Sequence, residues 1–319
     1  MPSVTHPKHR SRLPQLDQPF LTDGGLETTL VFHEGWDLPM FEAFILVDRE
    51  DGRATLRAYF DRYLPLAVSA GAGFILESPT WRANPEWGAK AGYDRDALAR
   101  VNRDSIALMA EVRDAYETAA NPIVISGCIG PRGDGYDPGA LMTPEEAEAY
   151  HVWQTKVLAD AGVDLVTAIT MTNIPEAIGV ARAARAAGVP CAISFTLETD
   201  GRLPTGDALS DAIEAVDAAT GAAPAYYMIN CAHPSHFETT LEEGAAWTQR
   251  IKALRANSSR CSHAELDNAT ELDTGDPDEL GGEYADLRRR FPHITVLGGC
   301  CGTDHRHVAA ISAACFEPA

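Results

Sequence analysis

The chain is short of positive charge. Its 319 residues include 26 Lys and Arg against 46 Asp and Glu, which gives a formal net charge of −20. Nucleic-acid binding depends mainly on neutralising phosphates with Lys and Arg, and an acidic surface also repels anionic lipid. The one basic cluster, at residues 8–12, lies in a Pro-containing leader that we interpret as a solvated tail. The composition therefore argues against nucleic acid and membrane surfaces as partners.

Long apolar runs are also missing. The uncharged stretch over residues 64–76 contains proline and glycine and is shorter than the roughly 18 apolar residues of a membrane span. Residues 1–20 have no apolar segment typical of a secretion signal. We therefore expect a cytoplasmic protein with a tail over residues 1–18 and a single domain over residues 19–319. Homo-oligomer formation is left open.

The chain has seven cysteines, which is an odd number and too few for a disulfide framework. In a reducing compartment such cysteines are buried apolar residues, metal ligands or reactive thiols.

The chain also lacks a G-x-G-x-x-G or Walker sequence after any apolar run, which argues against a dinucleotide or nucleotide site. It has no H-E-x-x-H motif and no histidine cluster at a strand end, which argues against a metallohydrolase.

Short apolar runs alternate with segments of helical spacing along the whole chain. The predicted strands are residues 19–22, 74–76, 123–126, 164–168, 191–195, 226–229, 251–255 and 294–297. The predicted helices are residues 54–69, 96–118, 144–161, 174–187, 209–220 and 277–290. Eight apolar strands that alternate with helices predict an α/β fold, a parallel (β/α)8 barrel of the TIM type, rather than a doubly wound sheet. Residues 257–275 are predicted as a long loop at the mouth of the barrel.

In such a barrel the residues that carry chemistry follow the carboxyl ends of the strands. The candidate substrate-binding residues at these positions are Asp23, Gly24, Glu77, Thr80, Trp81, Asn230 and Asn257. Cys231 follows the sixth predicted strand, and Cys300 and Cys301 follow the eighth. Because both strand ends lie on one rim, the three thiolates could converge on one ion and leave one tetrahedral position open, as in catalytic zinc sites. Thiolate ligands also select zinc over magnesium or calcium.

Metal binding is not the sole role that the sequence allows for these cysteines. A cysteine in an apolar strand is most often a packing residue, and adjacent cysteines also serve redox chemistry. The glycines around Cys300 and Cys301 indicate a tight backbone with close approach. We interpret the remaining cysteines as packing residues; they are Cys128, Cys191, Cys261 and Cys315.

Several longer motifs resemble a known family. They are Asp23-Gly-Gly-Leu-Glu-Thr, Leu76-Glu-Ser-Pro-Thr-Trp-Arg-Ala-Asn84, Gly127-Cys-Ile-Gly-Pro131, Ile229-Asn-Cys-Ala-His-Pro234 and Leu297-Gly-Gly-Cys-Cys-Gly-Thr303 with His307. In this order, from about residue 19 to 312, they resemble the homocysteine S-methyltransferase family. That family includes betaine- and S-methylmethionine-dependent enzymes and the homocysteine-binding domain of cobalamin-dependent methionine synthase.

The resemblance implies an enzyme with Zn2+ held by Cys231, Cys300 and Cys301, and with a thiol substrate, typically homocysteine, as the fourth ligand. A zinc-bound thiol is deprotonated and can attack the methyl group of a small onium donor, giving methionine. S-methylmethionine, S-adenosylmethionine and betaine all stay open as donors. The resemblance also implies that Asp23 meets the substrate amine and that Gly24 allows close approach.

Aromatic side chains near the strand ends are candidates for holding the onium group of the donor. Trp81 is the first candidate, and the others are Trp36, Trp87 and Tyr136. His307 matches a family position and is a candidate for a role behind the metal ligands, although a histidine one turn into a helix is more often a packing or capping residue.

One position departs from the family pattern. The fourth strand of the family usually ends in a Glu that helps to hold the substrate ammonium, and Ile169 stands in its place here. Either another carboxylate, such as Glu77 or Glu198, takes over, or the acceptor is a different small thiol or selenol. A zinc- or thiol-binding protein without turnover is the alternative from another functional class.

Overall fold

The fold is a closed parallel barrel, seen in a computed structural model that describes residues 5–268 and 271–316. The strands are β1 (Phe20–Leu21), β2 (Gly73–Glu77), β3 (Ile123–Ile129), β4 (Leu165–Met171), β5 (Cys191–Thr196), β6 (Tyr226–Asn230), β7 (Ile251–Ala256) and β8 (Val296–Gly299). They follow one another around the barrel in chain order, and β1 pairs with both β2 and β8. The predicted (β/α)8 barrel and its strands are confirmed. We call the end formed by the carboxyl ends of the strands the mouth.

Helices connect the strands on the outside of the barrel. They are α1 (Leu26–Thr28), α2 (Glu50–Phe60), α3 (Leu64–Ser69), α4 (Pro85–Lys90), α5 (Arg95–Tyr116), α6 (Pro144–Ala161), α7 (Ile174–Ala186), α8 (Leu209–Thr220), α9 (Pro234–Phe237), α10 (Ala246–Gln249), α11 (His263–Asp267), α12 (Pro277–Arg290) and α13 (His305–Phe316). Shorter 3-10 turns span Pro14–Leu16, Pro39–Phe41 and Ala43–Asp48, and a π turn spans Thr29–His33.

The predicted helix over residues 54–69 was wrong as a single element. It is divided into α2 and α3, and Pro65 lies in the first turn of α3. Proline has no N–H to continue a helical ladder, so it favours a new helix start over a helix interior. The other predicted helices are present within two residues of their predicted ends. The N-terminal capping box of α6, formed by Thr143 and Glu146, is also present.

Two apolar layers hold the barrel together. Side chains that point into the barrel form one cluster, which includes Phe20, Ile75, Val124, Tyr226 and Val296. A larger cluster fills the space between the strands and the helices. Because both faces of most strand residues are buried, the strands are rich in apolar residues, as is typical of parallel sheets covered by helices.

Part of the leader packs against the amino-terminal end of the barrel, so its interpretation as a solvated tail holds for the exposed Lys8 and Arg12 but was wrong for residues 13–16. Leu13 belongs to the apolar cluster inside the barrel, and Gln15 is fully buried. The guanidinium of Arg10 donates to the carbonyls of Ala159 and Val163 at 2.8 and 2.6 Å. Apolar burial and these hydrogen bonds stabilise the packed position of the leader, although the segment is polar in composition. The division into a tail over residues 1–18 and one domain over residues 19–319 stays a prediction.

The predicted loop over residues 257–275 borders the mouth. It leaves the carboxyl end of β7 and contains the short helix α11, while its residues 269–270 lie outside the described part of the chain. The backbone N–H of Ser258 donates to the carbonyl of Cys301 at 3.2 Å, which ties the loop to the end of β8. Among the described residues, no helix combines the length and the apolar character that crossing a bilayer requires.

Candidate active site

Three cysteine side chains meet at the mouth. The Sγ atoms of Cys231, Cys300 and Cys301 all lie within 4.8 Å of one another. The Sγ atoms of Cys231 and Cys301 are 3.9 Å apart, although the two residues come from the ends of different strands. Cys231 is buried, whereas Cys300 and Cys301 are partly exposed. The structure therefore places three thiols around one point that a small molecule can reach from the mouth.

The backbone around these thiols is unusual. Cys231 has a φ of +52°, a left-handed conformation that costs a non-glycine residue about 1 to 3 kcal/mol. A Cβ atom on Gly299 would lie 2.1 Å from Thr303 Oγ1, so only glycine lets the end of β8 approach the turn that follows it. Gly302, with a φ of +78°, closes that turn. Strain and close approach of this kind concentrate at functional sites.

The thiol cluster fits a tetrahedral thiophilic metal. Zn–S bonds of about 2.3 Å at tetrahedral angles place sulfur atoms about 3.8 Å apart. The 3.9 Å between the Sγ atoms of Cys231 and Cys301 agrees with this spacing. Hydrogen bonds from Cys231 and from Cys301 lower the pKa of the Cys300 thiol, whereas hydrogen bonding to Cys300 raises the pKa of the Cys231 and Cys301 thiols, so the three thiols favour one thiolate, at Cys300. Three thiolate donors suit zinc and leave one tetrahedral position for another ligand.

Asn230 joins the thiols to the end of β4. Its side-chain oxygen accepts hydrogen bonds from the N–H of Thr170 at 3.1 Å and from the hydroxyl of Ser194 at 2.5 Å. Its amide nitrogen donates to Thr170 Oγ1 at 3.2 Å and lies 3.9 Å from the Sγ of Cys300. Thr170 itself has a φ of +67°, where the pairing of β4 with β5 shifts register. Asn230 thus supports an irregular strand end and also reaches the thiol cluster.

Asp23 forms a buried ion pair with Arg255 at the end of β1. Arg255 Nη2 donates to Asp23 Oδ1 at 2.7 Å, and the hydroxyl of Tyr59 donates to Asp23 Oδ2 at 3.0 Å. Burial raises the pKa of the Asp23 carboxyl even with the guanidinium beside it. A Cβ atom on Gly24 would lie 2.9 Å from the carbonyl of Thr303, so this position does support close approach.

Arg255 was missed in the sequence although it organises the mouth. Besides Asp23, it donates to the carbonyls of Gly24 and Gly299 at 3.0 Å each, and so joins the ends of β1 and β8 beside Cys300. The available signal was an arginine at the carboxyl end of a predicted strand, in the position where the residues of the mouth stand. A buried charge is costly unless it is paired, so an arginine there indicates a carboxylate partner at the same end of the barrel.

Glu77 is the last residue of β2 and Thr80 lies in the loop that follows it, and both are buried. Burial raises the pKa of Glu77 to about 7, with Arg255 as the main opposing charge. One of its carboxylate oxygens has no hydrogen-bond partner within the described residues. The hydroxyl of Thr80 donates to the carbonyl of Cys128 at 2.8 Å, so Thr80 holds the loop in place. Of the two candidates, Glu77 is the one with unused hydrogen-bonding capacity.

The tryptophans near the mouth have cations of this chain over their rings. The guanidinium of Arg82 lies 4.1 Å from the centre of the Trp81 ring and 3.6 Å from that of Trp87. Arg49 lies over Trp36 in the same way, at 5.0 Å. Trp81 also donates from Nε1 to the carbonyl of Ile169 at 3.3 Å, which places this ring beside the residue that departs from the family pattern.

Tyr136 lies directly against the thiol cluster. Its hydroxyl is 3.3 Å from the Sγ of Cys301, and its ring stacks on His263 at a centroid distance of 3.9 Å. The sequence suggested Tyr136 as one of several aromatic residues near the donor, but its contact with a cysteine has no signal in the sequence. Because its hydroxyl can donate to sulfur, Tyr136 can stabilise negative charge on Cys301.

Two further candidates have structural partners. Asn257 is buried, and its backbone N–H donates to the carbonyl of Ala232 at 3.2 Å, while its side-chain oxygen lacks a partner within the described residues. His307 is fully buried and bonds through Nε2 to the carbonyl of Thr274 at 2.7 Å and through Nδ1 to Asp304. His307 therefore fixes the start of α13 against the 257–275 loop.

Comparisons with known proteins agree with this geometry. The model of the homocysteine S-methyltransferase family matches residues 20–315. Homocysteine S-methyltransferase 4 of Zea mays is 27% identical, with 93% of this chain and 89% of that protein covered. Selenocysteine Se-methyltransferase of Brassica oleracea var. italica is 26% identical, with 91% and 87% covered.

Solved structures show the same fold. The oxidised form of the homocysteine methyltransferase MmuM from Escherichia coli has a TM-score of 0.75 and 23% identity, with 96% of this chain and 99% of that chain covered. Its metallated form has a TM-score of 0.71 and 22% identity, over the same shares of the two chains. Since the family model covers nearly all of the barrel, the chain belongs to the homocysteine S-methyltransferase family.

Proposed function

We propose that this protein is a zinc-dependent methyltransferase that moves a methyl group from a small onium donor to homocysteine, giving methionine. The observation that carries the proposal is the cluster of Cys231, Cys300 and Cys301 at the mouth of the barrel, with sulfur atoms within 4.8 Å of one another. Relatives named for homocysteine methylation cover about nine-tenths of the chain, which supports the same acceptor here.

Cys231, Cys300 and Cys301 are the proposed zinc ligands. When bound, zinc keeps a coordinated acceptor thiol deprotonated at neutral pH, where a free thiol with a pKa of about 8.5 is mostly protonated. The chain supports this site from two sides. The Tyr136 hydroxyl can donate to Cys301, and the Asn230 amide lies beside Cys300, so both can stabilise negative charge on sulfur.

The proposed reaction needs no general acid. A bond forms between the acceptor sulfur and the methyl carbon while the bond from that carbon to the positively charged sulfur or nitrogen of the donor breaks. The electron pair of the broken bond stays with the leaving group, whose sulfur or nitrogen atom loses its positive charge. The task of the protein is then to hold the two reactants in line, and orientation of this kind supplies much of the rate in displacement reactions.

The charge of the mouth favours a cationic donor. Asp23 is balanced by Arg255, whereas the carboxylate of Glu77 adds negative charge, and burial raises its pKa to about 7. Trp81, predicted as an aromatic surface for the onium group, already has Arg82 over its ring. We therefore propose that negative charge at the mouth contributes more to donor binding than an open aromatic cage.

A methyl-transfer assay tests this function. Zinc-loaded protein is incubated with homocysteine and, separately, with S-methylmethionine, S-adenosylmethionine or betaine, and methionine is measured by mass spectrometry. We expect methionine with at least one donor, no product from Cys300→Ala, and full activity from Cys261→Ala, which removes an exposed cysteine. Zinc-loaded protein that forms no methionine with any donor contradicts the proposal and favours a binding protein without turnover.

A different acceptor is the second candidate, and Ile169 is the observation that favours it. Its side chain is partly exposed at the end of β4, where it can neither pair with an ammonium group nor accept a hydrogen bond from one. The same assay with small thiols and selenols in competition with homocysteine separates the two candidates. A kcat/KM for another thiol or selenol that exceeds the value for homocysteine favours the second candidate.

A further inference from the structure

Glu27 lies at the mouth on α1, the short helix that follows β1 and the Asp23-Gly-Gly turn. Its side chain is partly exposed. Among the residues that the structure describes, its carboxylate forms no ion pair, and its hydrogen bonding is confined to its own backbone. Burial raises the pKa of Glu27 to about 7, and the neighbouring Cys300 and Asp23 add to this effect.

The helix α1, which carries Glu27, packs against the turn that follows β8. The backbone N–H of Gly25 donates to the carbonyl of Thr303 at 3.1 Å, and the N–H of Gly302 donates to Thr28 Oγ1 at 3.5 Å. The charges of Cys300 in this turn and of Arg255 on β7 also act on the Glu27 carboxylate. Glu27 therefore borders the same space as the thiol cluster.

The other acidic groups at the mouth differ from Glu27 in their partners or their exposure. Asp23 is paired with Arg255 and Tyr59, so its charge is compensated. Glu77 keeps one carboxylate oxygen without a partner among the described residues, but its side chain is buried, whereas that of Glu27 is partly exposed. Glu198 lies in the loop after β5, and its charge acts on His263 of α11. Glu27 combines partial exposure at the mouth with closeness to Cys300 and with a carboxylate that is in no ion pair among the described residues.

We propose that Glu27 binds the ammonium group of the amino-acid acceptor and replaces the carboxylate that Ile169 lacks. The inference rests on the proposed function. Asn230 supports its geometry, because this one side chain bonds Thr170 beside Ile169 and also reaches Cys300. Asn230 therefore joins the end of β4, where Ile169 stands, to Cys300, and α1 packs against the turn that follows β8. Glu27 is then a specificity residue that distinguishes an amino-acid thiol from a simple thiol.

The decisive test compares homocysteine with 4-mercaptobutyrate, which keeps the thiol and the carboxylate and lacks the amine. For the unmodified protein we expect a higher kcat/KM with homocysteine. For Glu27→Gln we expect kcat/KM with homocysteine to fall about 10- to 100-fold, and kcat/KM with 4-mercaptobutyrate to stay the same, since a lost charge-assisted hydrogen bond has this size. Glu214→Gln, which changes an exposed glutamate of α8, is the matched control and keeps the original ratio.

Two further readouts separate this role from a structural one. Calorimetric titration of zinc-loaded protein with homocysteine, without donor, is expected to show weaker binding for Glu27→Gln by the same factor. The Tm of Glu27→Gln is expected to stay unchanged or to rise by about 2 to 5 °C, because the variant removes a poorly solvated carboxylate. A lower Tm for Glu27→Gln, together with equal decreases in kcat/KM for homocysteine and 4-mercaptobutyrate, contradicts the inference and indicates a structural residue.

The outcomes also separate this inference from the proposed function. If the unmodified protein methylates homocysteine and Glu27→Gln keeps the original acceptor ratio, the assignment of Glu27 is wrong and the proposed function stands. If Glu27→Gln instead raises only the KM for the onium donor, Glu27 meets the donor and the inference is overturned. If the unmodified protein does not methylate homocysteine but does methylate another thiol, the proposed acceptor itself fails.

Discussion

The two ends of the barrel each bury one Arg–Asp ion pair, in very different surroundings. At the amino-terminal end, Asp164 accepts from Arg113 at 3.2 Å and from the backbone N–H groups of His9 and Ile125 at 2.7 and 2.9 Å. At the mouth, Asp23 pairs with Arg255 beside the thiol cluster. Glu77 and Asn257, also at the mouth, each keep a side-chain oxygen without a partner in the described part of the chain.

The difference assigns a separate task to each end. The amino-terminal end is closed by the leader, and its ion pair joins the leader to β3 and β4, which is typical of residues that stabilise the fold. Buried charges and polar atoms without a partner occur at both ends, the latter at Gln15 and Arg113 as well as at Glu77 and Asn257. The mouth differs in its left-handed backbone at Thr170 and Cys231 and in its thiol cluster. Such features cost folding free energy and are expected where a substrate completes the interactions.

Removal of one thiol at the mouth has the largest expected effect. Cys300→Ala takes away a proposed zinc ligand, so bound zinc, about one per chain in the unmodified protein, is expected to disappear and kcat/KM to fall by more than about 100-fold. Zinc is measured by atomic emission after dialysis. Cys191→Ala, which alters a buried thiol of β5, is the control that keeps both zinc and activity. Cys300→Ala protein with full zinc and activity contradicts the account.

Breaking the two ion pairs tests the comparison directly. Arg113→Met and Arg255→Met each leave a buried aspartate without its partner, and each is expected to lower the free energy of unfolding by about 3 to 5 kcal/mol. Only Arg255→Met is expected to lower kcat/KM, by about 10-fold or more, because Arg255 also bonds Gly24 and Gly299 beside Cys300. Urea unfolding gives the first quantity, and kinetics in the absence of urea gives the second.

If Arg255→Met does not fold, Arg255→Lys keeps the positive charge and gives the same kinetic comparison. Equal losses of kcat/KM from substitutions at both ends contradict the division of tasks. A loss of activity confined to Arg113→Met contradicts it more strongly.

The pH dependence of stability is expected to have opposite signs at the two ends. Burial raises the pKa of Glu77 to about 7, so the stabilisation of its neutral form is present below about pH 4.5 and is lost as the pH rises to about 7. Although burial opposes them, hydrogen bonds from His9 and Lys8 lower the pKa of Glu117. The contribution of Glu117 is therefore present above about pH 4.5 and is lost as the pH falls below it.

Two glutamine variants measure these signs. Relative to the unmodified protein, Glu77→Gln is expected to gain about 1 to 3 kcal/mol in unfolding free energy between about pH 5 and pH 8. Glu117→Gln is expected to lose stability at about pH 7 and to approach the unmodified protein in acid. Urea unfolding at several pH values checks both. A Glu77→Gln stability difference that stays constant over this range contradicts the expected pKa of Glu77.

The smallest expected effect concerns the leader. Arg10→Ala removes hydrogen bonds to the carbonyls of Ala159 and Val163, and is expected to lower the free energy of unfolding by about 1 to 2 kcal/mol. Because Arg10 lies at the end opposite the mouth, kcat/KM is expected to stay unchanged. Thermal unfolding and steady-state kinetics on the same sample measure both quantities. A change in kcat/KM without a change in Tm contradicts this assignment.

The sequence was sufficient for the barrel and for the position of its thiols. Apolar runs at regular intervals predict parallel strands, and the Asn230-Cys231 and Cys300-Cys301 pairs both stand at predicted strand ends. The convergence of those ends follows from the closure of a barrel alone. The packed leader was not predictable in this way, because the sequence around Leu13 and Gln15 does not indicate that these residues are buried at the amino-terminal end of the barrel.

The finer parts of the site depend on contacts between distant residues. The pairing of Arg255 with Asp23, the contact of Tyr136 with Cys301, and the cover of Arg82 over Trp81 each join segments that lie far apart in the chain or depend on the fold around them. Neither local propensity nor hydrophobic spacing carries information about such contacts. The sequence did show that a carboxylate is missing at Ile169, but it suggested Glu77 or Glu198 as the replacement, and the charges around Glu27 became visible only in the folded chain.

X-ray absorption at the zinc edge tests the central claim most directly, because it reports the ligands of the metal with and without the acceptor. The account predicts three sulfur neighbours, from Cys231, Cys300 and Cys301, at about 2.3 Å in the zinc-loaded protein. After addition of homocysteine it predicts about one more sulfur neighbour at the same distance, in place of a lighter ligand. A spectrum that homocysteine leaves unchanged, or a zinc site dominated by nitrogen and oxygen, would contradict the account.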